Sequence, residues 1–300
     1  ILAEYGFDAE LFPPRVPTFG HQGGLTQAAA RTLGLKSGTP LTYRAGDQPN
    51  NAFSLNVLEP GELAATAGTS GVVYGISDVR KYDRKSRINT FVHVNHNMPG
   101  DRYGVLLCLN GAGILNAWMR RNFNEDSYPL MNKLAGQVPV GSEGLFIFPF
   151  GNGAERMLEN RDPGSRILGW QYNIHQKPHF YRAAQEAVAF AMFCGMKIME
   201  SVGTSSSVIR AGHANMFLSP VFSQTLADLT GAAIELYDTD GAQGAARGAA
   251  LGHRYYSDFD SAFSGLLKQE SIRPSSLSGE VQTAYQEWED HLNEILHGII

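Results

Sequence analysis

Across residues 181–202 apolar side chains return at three- and four-residue steps, with Ala183, Ala187, Phe190, Ala191 and Cys194 on one stripe and Arg182, Gln185 and Glu186 off it. That spacing predicts the strongest helix of the chain, apolar on one face and polar on the other. A second long helix is predicted over 279–297, with Val281, Tyr285, Trp288, Leu292 and Leu296 on its buried face. Shorter helices are expected over 26–33, capped by Thr26 and stopped by Gly34, over 51–58 ahead of Glu59-Pro60-Gly61, over 114–123, and over 219–229 before Gly231. Between them lie short β-prone runs at 41–45, 63–66, 72–74, 88–94, 103–109, 207–211 and 232–237. Residues 144–150 are almost wholly apolar, as in a strand of a sheet covered on both faces. Strands alternating with helices make this an α/β chain with a mixed sheet flanked by helices.

Several interruptions of the pattern carry chemistry. Asp47 follows Gly46 at the end of the run at 41–45, where a carboxylate could serve as a general base; an Asp after Gly is also a common turn former. Gly68-Thr69-Ser70-Gly71 joins two strand runs and could aim backbone N–H groups and hydroxyls at phosphate oxygens, or simply reverse a hairpin. Gly111-Ala112-Gly113 separates a strand from a helix start, which suits either a bound nucleotide or close strand-to-helix packing. Glu155 and Arg156 are expected to be structural ion partners. His213, with no acid at useful spacing, carries no catalytic expectation. Glycines 244, 248 and 252 fall on one helix face and predict a bare strip against which another backbone can press.

Composition narrows the field. The 300 residues are 43% hydrophobic with 33 glycines and a net charge of −5, so any phosphate binding must be local rather than a general attraction for nucleic acid or anionic membrane. Cys108 and Cys194 sit in apolar runs without metal-ligand spacing, which predicts buried reduced thiols and a cytoplasmic protein. No apolar run reaches membrane-helix length.

Taken together, Leu11-Phe12-Pro13-Pro14, Gly38-Thr39-Pro40-Leu41, Gly46-Asp47-Gln48 and Gly68-Thr69-Ser70-Gly71 resemble the FGGY carbohydrate kinases in order and spacing, most of all the xylulokinase-like members. The resemblance implies a ribonuclease H-like, actin-type fold and ATP-dependent phosphorylation of a sugar. It makes Asp47 the base, places Asp47 and Gln48 at the sugar, and gives the ATP phosphates to Gly68, Thr69 and Ser70. Gly111 and Gly113 would lie beside ATP, and Gly212 and Asn215 in the adenine loop, where the family's glycine run is kept only at Gly212. Mg²⁺ is the implied cofactor, with no metal ligands assigned among these residues. D-xylulose is the expected substrate, with ribulose, gluconate or glycerol, or a non-catalytic sugar or nucleotide sensor, as alternatives; a homodimer is compatible with this. The family's first phosphate loop, Asp-x-Gly-Thr/Ser, does not occur before Asp47. The chain therefore reads as a piece of a longer kinase, inactive alone: residues 1–60 as the tail of the sugar-side domain and 61–300 as the nucleotide-side domain.

Overall fold

The computed structural model describes residues 2–299. Seven strands form one sheet: β1 (Glu62–Ala67), β2 (Gly71–Ser77), β3 (Asn89–Val92), β4 (Tyr103–Leu109), β7 (Val208–Gly212), β8 (Ala233–Tyr237) and β9 (Lys268–Ile272), in the order β3-β4-β2-β1-β7-β8-β9. β1 and β2 form a hairpin, β2-β4 and β4-β3 continue antiparallel, and β1-β7-β8 run parallel before β9 turns back. The parallel pair β1 and β7 is registered Leu63 to Ile209 and Ala65 to Ala211, so both strands end on the same edge of the sheet. That edge is where loops following parallel strands assemble sites.

The apolar run at 144–150 is a strand, β5 (Phe146–Phe150), but not part of that sheet. It pairs with β6 (Gly164–Leu168) in a separate two-stranded ribbon. Its burial comes from helices: α5 (Lys177–Glu200) packs on it, and Trp288 of α9 (Ser278–Leu296) stacks on Phe148 at 5.3 Å and donates its indole N–H to the Ile147 carbonyl at 2.8 Å. α5 is also not amphipathic in the expected sense, because Gln185 and Glu186 are as buried as the apolar stripe. α4 (Tyr128–Ala135) and α6 (Pro220–Thr230) cover its other side. There Glu186 accepts from Arg182 at 2.7 Å and from the Gly141 N–H at 3.2 Å, as a buried carboxylate requires.

The run at 41–45 forms no strand; it makes an isolated bridge from Tyr43 to Phe19 and irregular main-chain bonds from Leu41 and Thr42 to Gly20, Gln22 and Gly23. Asp47 instead opens α2 (Asp47–Ser54), which begins earlier than expected and ends earlier because Asn56 takes a left-handed conformation (φ 55°) and Val57 N–H closes on the Ala52 carbonyl at 3.0 Å. Cys108 is exposed and Cys194 half-buried; both are free.

The chain forms two compact units, one of residues 1–46 and 242–265, the other of 47–241 and 266–300. Ala52, Leu55 and Val57 pack with Ala64, Tyr74 and Ile76 within the second unit. In the first unit Thr26 caps α1 (Gln27–Leu33), accepting from the Ala29 N–H at 3.2 Å, and Gly34 ends it. The expected glycine strip is there too: a Cβ on Gly248 would stand 2.6 Å from the Tyr43 ring, and one on Gly252 1.9 Å from the Thr42 carbonyl oxygen.

In the second unit His93 is buried. Its Nε2 faces the Val57 carbonyl at 3.2 Å, which can only accept, so Nε2 carries the proton and Nδ1 accepts from the Tyr74 hydroxyl at 3.1 Å. Burial pushes its pKa down to about 3. The unfolded chain, with a His pKa near 6.5, binds that proton first, so His93 is expected to remove stability as pH falls from about 6.5 towards 3. Urea unfolding at stepped pH should show a shallower acid slope for His93→Gln than for the wild type; equal slopes would count against this.

Candidate functional site

At the carboxyl edge of β1 and β7, a cleft of about 1060 Å³ opens between the β1–β2 turn, α3 (Gly113–Asn122), α4 and the segment Asn215 to Val221. The turn is short: Ala67 pairs with Gly71, leaving Gly68, Thr69 and Ser70 to reverse the chain. It is anchored from outside the hairpin, since the first two N–H groups of α3, on Gly113 and Ile114, donate to the carbonyls of Gly68 at 2.8 Å and Thr69 at 3.3 Å. The helix start thus holds the turn rather than standing open to an anion. The Thr69 hydroxyl, exposed at the cleft, has no hydrogen-bond partner among the described residues. Asn215, itself left-handed (φ 56°), brings its side-chain nitrogen to 3.8 Å from where a Gly68 Cβ would be.

Of the residues singled out in the sequence, Gly68, Thr69, Gly113 and Asn215 line this cleft. Ser70 sits on the exposed tip of the turn. Gly111 faces away: a Cβ there would lie 1.9 Å from the Pro149 carbonyl oxygen, so close packing is what that glycine serves. Gly212 ends β7 outside the cleft lining. Asp47 is exposed in the first turn of α2 on the same unit, also outside the lining, with Gln48 beside it. The Gln48 N–H donates to Asp47 Oδ1 at 2.8 Å, and Oδ2 has no partner among the described residues. Glu155 and Arg156 do not pair: the acid accepts from the Asn110 N–H, while the arginine donates to the Ser86 carbonyl at 2.5 Å and to Asn89.

Other cleft residues escaped the sequence reading. Asn116 is 7% exposed, and its Oδ1 has no partner among the described residues; a polar residue on the inward side of an apolar helix was the available signal. Arg121 and Lys133 bring positive charge to the wall. Gln185 ties opposite walls together, its amide donating to Asn132 Oδ1 at 2.9 Å and accepting from the Ser219 hydroxyl at 2.7 Å.

The profile of the FGGY family of carbohydrate kinases, C-terminal domain, matches residues 63–252. The chain belongs to this family. It is 25% identical over 270 residues to the xylulose kinase of Staphylococcus epidermidis, covering 88% of this chain and 52% of that protein. It is 28% identical over 204 residues to the gluconokinase of Bacillus licheniformis, covering 64% and 38%. The crystal structure of xylulose kinase from Rhodospirillum rubrum superposes with a TM-score of 0.83 at 22% identity, over 99% of this chain and 60% of that one. The chain spans about half the length of the xylulose kinase it matches. Its mixed sheet flanked by helices is the ribonuclease H-like, actin-type fold of FGGY kinases. No three His, Cys, Asp or Glu side chains come together as a metal site among the described residues of this FGGY chain. A Mg²⁺ carried on nucleotide phosphates would need only one or two protein carboxylates, and no Asp or Glu is among the residues that line the cleft. No helix among the described residues is long and apolar enough to cross a membrane.

Proposed function

We propose that the full-length protein is a cytosolic, ATP-dependent sugar kinase that transfers the γ-phosphoryl group to the terminal hydroxyl of D-xylulose, giving xylulose 5-phosphate and ADP. The observation that carries this is the Gly68-Thr69 turn held at one end of a nucleotide-sized cleft by the α3 N–H groups. In this reading the cleft takes ATP, with Asn215 beside the turn and Arg121 and Lys133 adding positive charge. Asp47 accepts the proton of the attacking hydroxyl, and Gln48 orients the sugar. Mg²⁺ arriving with ATP would supply charge neutralisation at the phosphates, with no protein ligand assigned to it. Gluconate is the second substrate reading, favoured by the 28% identity to a gluconokinase. ADP release by the full-length protein with D-xylulose, gluconate, ribulose and glycerol in parallel tests the proposal; turnover of none of them would sink it.

Thr69→Val separates a phosphate turn from a plain hairpin. The hydroxyl has no internal partner to lose, so stability should change by less than about 1 kcal/mol. Losing a donor to a charged phosphate oxygen should lower kcat/KM for ATP roughly tenfold or more and leave the sugar KM in place. Equal effects on both substrates, or none, would return the turn to a hairpin role.

A further inference from the structure

Glu155 is 1% exposed and, among the described residues, no cation pairs with it. Its carboxylate reaches from the segment after β5 to the end of β4, where the Asn110 N–H points between its oxygens, 3.1 Å from Oε1 and 3.2 Å from Oε2. The acid's own backbone is pinned: its N–H donates to the Arg161 carbonyl at 2.9 Å, and its carbonyl accepts from Leu158 and Asn160, each at 3.0 Å. Asn110 returns a bond through Nδ2 to the Ala154 carbonyl at 3.0 Å. From there the chain has little freedom, since Gly111 is pressed on the Pro149 carbonyl and Gly113 and Ile114 hold the carbonyls of Gly68 and Thr69. A buried carboxylate is thus joined to the cleft turn by a short stretch of main chain that is bonded at Asn110 at one end and at Gly113 and Ile114 at the other.

We propose that Glu155 is a positioning residue for the phosphate turn, its ionised carboxylate fixing Asn110–Gly113 and through them the carbonyls of Gly68 and Thr69. This rests on the kinase reading above. Burial pushes the Glu155 pKa up to about 7; the Asn110 N–H works against that and the charge of Asp162 adds to it. The other groups near it are the Cys108 thiol on β4, within reach of its field, and two arginines directed elsewhere, Arg156 to Ser86 and Asn89 and Arg161 to the carbonyls of Leu158 and Leu296. The strut therefore titrates near neutrality. Protonation converts a charge-assisted bond shared by two oxygens into a weaker neutral one. Because the folded pKa lies above the unfolded one, Glu155 itself contributes stability at low pH and loses it as pH rises through about 7, so the ionisation that holds the turn works against this residue's own contribution to stability.

The test is steady-state kinetics of the full-length protein with ATP and D-xylulose varied separately across pH. In the wild type the KM for ATP is expected to rise roughly fivefold as pH falls through 7, with the sugar KM unmoved. Glu155→Gln, which keeps an uncharged acceptor, should hold the low-pH value at every pH. The terminal phosphate of the nucleotide titrates nearby, so the difference between wild type and variant decides. A Glu155→Gln profile that follows the wild type, or a wild-type ATP KM flat through pH 7, overturns the proposal. Calorimetric ADP binding by the same proteins separates it from the kinase reading: the pH step in ADP affinity without sugar turnover supports the strut and removes the kinase, while turnover without the step does the reverse.

Discussion

The full-length protein carrying Asp47→Asn is expected to bind ATP and sugar as the wild type does and to turn over roughly 10² to 10⁴ times more slowly, the usual worth of a general base. Folding should be untouched, for local reasons. Asp47 is exposed in the first turn of α2, among the described residues its carboxylate accepts from the Gln48 N–H alone, and an asparagine oxygen can accept that bond equally well. Helix starts accept Asn and Asp alike, and the lost negative charge near the helix dipole costs only a few tenths of a kcal/mol. What the amide cannot do is take a proton from a hydroxyl. A loss in kcat with both KM values held is therefore the signature, and an unchanged kcat would remove Asp47 from the chemistry.

Gly113→Ala is expected to lower kcat/KM for ATP by roughly tenfold to a hundredfold, as displacements of about 1 Å in a reacting geometry do. Two effects compete. Alanine at a helix start gains up to about 1 kcal/mol of helix propensity over glycine. Against it, the new Cβ would stand 2.3 Å from the Gly68 carbonyl oxygen and 3.0 Å from its carbon, both main-chain atoms that no rotamer can move aside. Such overpacking costs about 1 to 3 kcal/mol, and the direct relief is for the turn to leave α3, breaking the Gly113 N–H bond to Gly68. The affinity loss should be confined to the nucleotide, and wild-type ATP kinetics in this variant would show that the turn tolerates displacement.

These constraints mark how far the sequence could be read. Helices and most strands were legible because burial and periodicity coincide there: the glycine strip of residues 244–252, the Thr26 cap and the Trp288 face are local signals that tertiary packing leaves intact. The run at 41–45 looks like a strand, but β-propensity needs a regular partner edge, and residues 19–23 meet it through one bridge and irregular bonds. Gln185 and Glu186 look like solvated positions because a one-dimensional pattern cannot show that α4 and the start of α6 meet Gln185 and the turn at Gly141-Ser142 meets Glu186. In the site, the turn and Asn215 were found through their resemblance to family motifs. Gly111 and Gly113 look equivalent in sequence, yet one faces the Pro149 carbonyl and the other Gly68. Asn116, Arg121 and Lys133 converge only through the angles at which α3 and α4 pack, which no short motif encodes.

One amide spans the cleft from beneath. Gln185 gives its donor to α4 and its acceptor to Ser219 at the start of α6, and a third link, from Asn132 to the Leu218 carbonyl at 3.4 Å, runs alongside. The gauge of the slot is therefore written at a position that lines none of it. Wall residues other than Asn132, Leu218 and Ser219, which take part in these links, can be exchanged to change what the slot recognises without altering its width. A change at Gln185 does the opposite: glutamate would offer Asn132 Oδ1 no donor, and asparagine would fall short by a methylene, about 1.5 Å. Width and chemistry are thus separately heritable here, and a lineage that changed its ligand's size would have to pass through this glutamine.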